Sequence, residues 1–145
     1  VVDASGEALE AAPDAGVFLL TPSGRELGEL VGATLTTIED RVAAAEELVR
    51  RGRVETVALT LGGDGAVLVN REGTTRLRPP PIEVASTVGA GDSFLAGLVL
   101  RLAEGRDLQA AFRAGVAAGA AAAMTAATEL CHRADVERLE AQLAG

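Results

Sequence analysis

Two kinds of apolar pattern alternate along the chain. Short continuous apolar runs predict strands covered on both faces, and apolar residues recurring every three or four positions predict amphipathic helices. GVFLLT (16–21) and TVALTLG (56–62) are runs of the first kind. GAVLVN and TTRLR read as two more strands joined by a turn at REG, and residues 1–3 read as the end of another. GEALEAA predicts a short helix. Residues 23–31 predict a second, opened by a capping box of Ser23 and Glu26 and stopped by Gly32. Residues 36–51 predict a third, with Thr36 and Glu39 as capping box, Ile38, Val42, Ala45 and Val49 on one face, and Gly52 as stop. PPP at 79–81 rules out regular structure there.

The last third of the chain is helical in pattern. Residues 92–104 place Leu95, Leu98, Val99 and Leu102 on a predicted buried face. Asp107 is a good N-cap for a helix running to about Met124, on which Leu108, Phe112, Gly115 and Gly119 recur at helical spacing. Its Ala and Gly content lets another backbone approach closely. Residues 134–143 predict a final amphipathic helix, and no internal repeat is visible. Strands alternating with helices imply βαβ units, hence an α/β fold with a mostly parallel sheet and helices on both faces. Ligands of such sheets sit beyond the carboxyl ends of the strands, so the loops after Leu20, Leu61 and Val88 belong together in a functional reading.

Composition narrows the function classes. The 145 residues suffice for one domain with a real core, 48% of them are hydrophobic, and the core must be built from Ala, Val and Leu because Trp and Tyr are absent. The formal net charge of −8 argues against nucleic-acid and membrane-surface roles, which need a basic patch. The longest apolar run, 116–124, is too short to span a bilayer. The N-terminus lacks the basic start and apolar stretch of a signal peptide, and Cys131, the single cysteine, allows no intrachain disulfide. A cytoplasmic location is expected. Because a strand pattern begins at the first residue with no initiator Met, the chain is expected to be a piece of something longer.

The chemistry concentrates in STVGAGDSFLAG, residues 86–97. A helix start leaves backbone N–H groups unpaired and carries about half a positive charge. Gly89, Ala90 and Gly91 have almost no side chain, so an anion can come close to those donors. No Lys-Ser/Thr pair follows, so this is not a Walker A loop. Asp92 would repel a static phosphate, but it suits a base that takes the proton of an attacking hydroxyl while the amides hold the phosphoryl group in transit. The alternative for Gly-x-Gly-Asp alone is a turn followed by an Asp that caps a helix. GGDG at 62–65 likewise reads either as a hairpin turn or as a loop that lets a ligand approach the backbone.

STVGAGDSFLAGL resembles the signature of PfkB/ribokinase-type sugar kinases, D/S-T-x-G-A-G-D-x-F-x-A-G. The resemblance implies that Asp92 is the catalytic base and that Gly89, Ala90 and Gly91 form the anion hole. It extends over nearly the whole chain. LTLGGDGAVLV is similar to the family's ATP loop, S/T-x-G-x-x-G, which implies nucleotide contacts for Thr60, Gly62 and Gly65. LLTPSGRELGELVG resembles the K-P-N-x-x-E-L segment. There the resemblance implies that Glu26 helps organise Mg²⁺ and that positions 21 and 23 lie near phosphate. Thr21 stands in place of Lys and Ser23 in place of Asn, so a cation is lost at position 21. RPPPIEVASTVGAGD and FRAGVAAGAAAAMTAATELCHRADV most resemble the phosphofructokinase branch.

In that branch residues 122–128, including Met124, would flank adenine and help bind a monovalent cation, K⁺, with Ser86 and Val88 offering backbone oxygens. Ala127 stands where the family often has Gly. Cys131 and His132 read as structural. Asp3 is the candidate on the sugar side. The implied fold is ribokinase-like, with residues 1–145 as the C-terminal nucleotide-binding and catalytic portion. The resemblance implies that the N-terminal half, with the sugar-binding loops and a β-lid, is expected to be absent, which would leave an open sheet edge. The implied activity is ATP-dependent phosphoryl transfer to a sugar phosphate, fructose 6-phosphate first, in a full-length homodimer. Fructose 1-phosphate, tagatose 6-phosphate, ribose or a nucleoside as acceptor remains open, as does a non-catalytic nucleotide-binding or assembly role for the isolated chain.

Overall fold

The computed structural model describes residues 1–126 and 129–144, and the chain divides into two compact units, Val1–Arg76 and Leu77–Gly145. The first carries α1 (Gly6–Ala11), β1 (Val17–Leu20), α2 (Gly24–Val31), α3 (Ile38–Arg50), β2 (Val54–Thr60), β3 (Ala66–Asn70) and β4 (Gly73–Leu77), in a sheet of order β1-β2-β3-β4. β1 and β2 are parallel, in register Val17 with Val54, because α2 and α3 carry the chain back between them. β2 and β3 are antiparallel, Thr60 opposite Ala66, since the short loop joining them cannot make a parallel crossover. The sheet is therefore mixed rather than mostly parallel. Val2 forms a single parallel bridge to Leu20, which is all that remains of the strand expected at the N-terminus.

The core of this unit is Val17, Leu20, Val54, Val57, Leu59, Val67 and Val69 from the strands with Leu9, Leu27, Ala45 and Val49 from the helices. Both buried α3 residues lie on the face predicted from spacing, and Ile38 and Val42 pack at its margin. Local signals fix the helix ends. Ser23 and Glu26 form the expected capping box, and Gly32 stops α2 at φ 67°. The α3 box is displaced by one residue, to Thr37 and Asp40. The TTIED stretch offers two overlapping boxes of the same spelling, and the Asp40 carboxylate takes both the Thr37 N–H and the Thr36 hydroxyl.

The second unit contains α4 (Ala90–Ala103), α5 (Leu108–Ala123) and α6 (Arg133–Ala144). α5 packs against both of the others, and Asp107 caps it by accepting from the Ala110 N–H at 2.7 Å. α4 begins at Ala90, two residues earlier than its apolar pattern implied, and its buried residues are Phe94 and Leu98. Val99, expected inside, is 37% exposed. The helix is turned so that the Phe94 ring meets Phe112 edge-on at 6.2 Å and the backbone at Phe94 lies against Gly115. Arg101 ties α4 to α6 through Glu140 at 2.8 Å. Among the described residues, no helix is long and apolar enough to cross a membrane.

Candidate active site

On the first unit, the ends of β1 and β2 bring four of the singled-out residues together. Thr21, at the end of β1, is buried and donates its N–H to Val2 O at 3.1 Å. Ser23 makes a parallel bridge with Thr60, and the Thr60 N–H donates to Pro22 O at 3.2 Å. Glu26 folds back one turn later: its Oε2 accepts the Ser23 N–H at 2.8 Å, and its own N–H donates to Ser23 Oγ at 3.3 Å. The capping box thus sits at the strand ends where ligands of α/β sheets bind. One carboxylate oxygen of Glu26 is engaged there, and Oε1 is left for another partner. Asp3 follows the Val2 bridge to Leu20 and is solvent-exposed.

The loop after Thr60 is both a hairpin and an open cradle. The Leu61 N–H donates to Gly65 O at 2.8 Å and the Gly65 N–H to Gly62 O at 3.0 Å, which closes the turn between β2 and β3. Gly62 has φ 61° and Gly65 φ 90°, values that L side chains rarely adopt. The N–H groups of Gly62 and Gly63 have no acceptor among the described residues, and a Cβ on either would meet nothing within 4 Å. Gly63 was not singled out from sequence, although the adjacent glycines were the signal.

On the second unit, the stretch after Pro81 is held by the end of α5. The N–H groups of Ala85 and Ser86 both donate to Ala123 O, at 2.8 and 3.2 Å, and the Val88 N–H donates to Ser86 Oγ at 3.2 Å. Gly89 then takes φ 75° and serves as N-cap of α4 without any side-chain cap. The first intrahelical bond is Ser93 N–H to Gly89 O at 2.9 Å. The Ala90 N–H reaches Thr87 O at 3.4 Å, whereas those of Gly89, Gly91 and Asp92 have no acceptor among the described residues. A Cβ on Gly89 or Gly91 would meet nothing within 4 Å. Asp92, in the first turn, is exposed and does not cap the helix. The capping alternative for this motif is thereby removed, and the carboxylate stands beside a set of open amide donors.

Met124 ends α5. It packs in a cluster with Ala117, Ala121 and Leu139, and its Sδ lies 3.8 Å from Arg138 Nη2. Thr125 is buried and closes the following loop, its hydroxyl shared between Ala122 O at 2.8 Å and Glu129 O at 2.9 Å. Ala127 and Thr128, on the other side of the expected monovalent-cation site, lie outside the described residues. The carbonyl oxygens of Ser86 and Val88 accept nothing among the described residues. Cys131 packs at the margin of the Leu139 cluster, and His132 O accepts the N–H groups of Asp135 and Val136 at the start of α6. No group of three or more His, Cys, Asp or Glu is assembled for a metal among the described residues.

Residues 1–134 match the family model described as pfkB family carbohydrate kinase. The chain belongs to that family. It is 42% identical over 144 residues to the ATP-dependent 6-phosphofructokinase isozyme 2 of Escherichia coli (strain K12), covering 99% of this chain and 47% of the relative. It is 38% identical over 125 residues to the 1-phosphofructokinase of Bacillus subtilis (strain 168), covering 86% of this chain and 41% of that one. A crystal structure of phosphofructokinase-2 from Escherichia coli in complex with potassium aligns with a TM-score of 0.92 at 42% identity, over 97% of this chain and 46% of that one. This pfkB chain thus spans about half the length of the curated relatives it matches.

Proposed function

We propose that the protein carrying this chain transfers the γ-phosphoryl group of ATP to a hydroxyl of a sugar phosphate, with fructose 6-phosphate as the preferred acceptor. The observation that carries the reading is the first turn of α4, where Asp92 does not cap the helix and the amides of Gly89, Gly91 and Asp92 have no acceptor among the described residues. In this reading Asp92 accepts the proton of the acceptor hydroxyl as its oxygen bonds to the γ-phosphorus and the bond from that phosphorus to the ADP oxygen breaks. The anion hole at 89–91, with the open amides of Gly89 and Gly91, takes the charge spread over the transferring oxygens. Phosphoryl transfer through a loose transition state asks little more than such positioning and charge stabilisation.

The remaining assignments follow from the same reading. Thr60, Gly62 and Gly65 hold the nucleotide, with Thr21 and Ser23 near its phosphates and Met124 beside adenine, while Asp3 lies on the sugar side. Mg²⁺ binds through few carboxylates, retained waters and substrate phosphates. Glu26, with one oxygen engaged and one left over, fits that mode, and the ion when bound neutralises phosphate charge. The unused carbonyls of Ser86 and Val88 fit one side of a K⁺ site, and the Escherichia coli relative was solved with potassium. Residues 1–145 serve as the nucleotide-binding and catalytic portion of a cytoplasmic, dimeric enzyme.

The acceptor rests on relatives: the 6-phosphofructokinase at 42% identity supports fructose 6-phosphate, and the 1-phosphofructokinase at 38% supports fructose 1-phosphate as the second reading. Steady-state kinetics of the protein with MgATP and a panel of fructose 6-phosphate, fructose 1-phosphate, tagatose 6-phosphate and ribose tests both. Highest kcat/KM on fructose 6-phosphate is expected, and highest kcat/KM on another sugar transfers the assignment to it. ATP binding with no transfer to any of them would make the protein a nucleotide-binding module instead.

A further inference from the structure

Thr21-Pro22-Ser23-Gly24, the turn from β1 into α2, contains no cation, although the reading above gives it a triply or quadruply charged ligand. Within the first unit, Arg41 of α3 reaches this turn. Its side chain lies across Gly24: a Cβ there would stand 2.9 Å from Arg41 Nε and 3.0 Å from both Cδ and Cζ. Gly24 follows Ser23 directly, and Ser23 is the residue bridged to Thr60 and boxed with Glu26. Only glycine at position 24 leaves the guanidinium this place without a shift of the stem.

Arg41 has little else to do with its charge. Among the described residues it has no acidic partner, and its side chain's one hydrogen bond there is from Nε to Leu35 O at 3.4 Å. Four of its five N–H donors are left over. The neighbouring cation, Arg25, is paired with Glu29 at 3.4 Å on the exposed flank of α2. Arg41 also lines, with Gly24, a cavity of about 550 Å³ beside α2. The cavity's glycines do not make it a separate ligand site, because packing accounts for Gly28, where a Cβ would stand 2.8 Å from Ala33 O.

We propose that Arg41 supplies the phosphate-binding cation of the β1–α2 turn, taking over from α3 the charge that Thr21 does not provide. This rests on the kinase reading. A guanidinium suits the task because its planar fork meets phosphate oxygens in pairs and keeps its charge at any physiological pH.

The test is calorimetric binding of MgATP and of adenosine to the wild-type protein, Arg41→Met and Arg41→Lys. Methionine keeps an apolar stem over Gly24 without the charge, and lysine keeps the charge. Arg41→Met is expected to weaken MgATP roughly tenfold and leave adenosine unchanged, with Arg41→Lys recovering most of the loss. MgATP binding unaltered in Arg41→Met, or MgATP and adenosine weakened alike, overturns the assignment while leaving the kinase reading in place. A wild-type protein that binds neither ligand overturns the kinase reading and this inference with it.

Discussion

Gly119 of α5 lies against Ala90, the first residue of α4: a Cβ on Gly119 would stand 3.1 Å from the Ala90 carbonyl oxygen. Two further contacts continue the seam. Gly115 meets Phe94 O at 2.9 Å from its would-be Cβ, and Gly97 meets Ala114 O and Ala118 Cβ, each at 2.8 Å. Gly115 and Gly119 of α5, expected from the sequence to admit a close backbone, are where the backbone of α4 comes into contact. Their contact at Ala90 supports the turn whose amides carry the proposed chemistry.

Gly97→Ala tests this seam. In an exposed helix the change would gain about 1 kcal/mol in helix propensity. Here the methyl has no place without moving α5, and a net loss of about 1–3 kcal/mol is expected, as for overpacking of a tight core. Urea unfolding measures it, and an unchanged or raised midpoint would mean that the helices do not approach as closely as described.

Gly91→Ala should separate stability from function. Its Cβ enters open space at the second position of α4, so folding stability should hold or rise by up to about 1 kcal/mol. That same space is where an anion must come to reach the free amides. Turnover should fall while the unfolding midpoint does not, and full activity in this variant would show that no substrate atom approaches there.

What the sequence revealed and what it hid follow one physical division. Capping boxes, glycine stops, the Asp107 cap and the STVGAGDSFLAG stretch are all local, so adjacent residues carry the whole signal. Where two local signals competed, Thr36 with Glu39 against Thr37 with Asp40, sequence alone had no basis for choosing. On α4, Leu98 is buried as expected, but Val99 is exposed and Phe94 is buried instead: both are apolar, and glycines on α5 decide between them. The approach of Arg41 to Gly24 was not visible in the sequence, because it exists only once α3 has folded back beside α2. The antiparallel pairing of β2 and β3 follows from the short loop at 61–65, whereas the strand–helix alternation earlier in the chain points only to parallel pairing.

A pH prediction concerns Glu47 on α3. Hydrogen bonds from the Arg50 and Arg51 side chains hold its carboxyl down to about 2. A lowered folded-state value means that the contribution is fully present above the unfolded value of about 4.3 and disappears as pH falls through the folded value. An NMR titration of the Glu47 side-chain carbonyl should therefore show no step between about pH 5 and 3, and Arg50→Gln should bring the step back toward 4. A normal titration in the wild-type protein would mean that these exposed partners are not held together in solution.

The most direct test of the account is Asp92→Asn, assayed for turnover and for ATP affinity in the same preparation. The substitution keeps size and helix position but removes the proton acceptor. Turnover is expected to fall by about 100-fold to 10 000-fold, with ATP binding and the unfolding midpoint unchanged. Turnover within a few-fold of wild type would contradict the role of Asp92 as the base at the open end of α4.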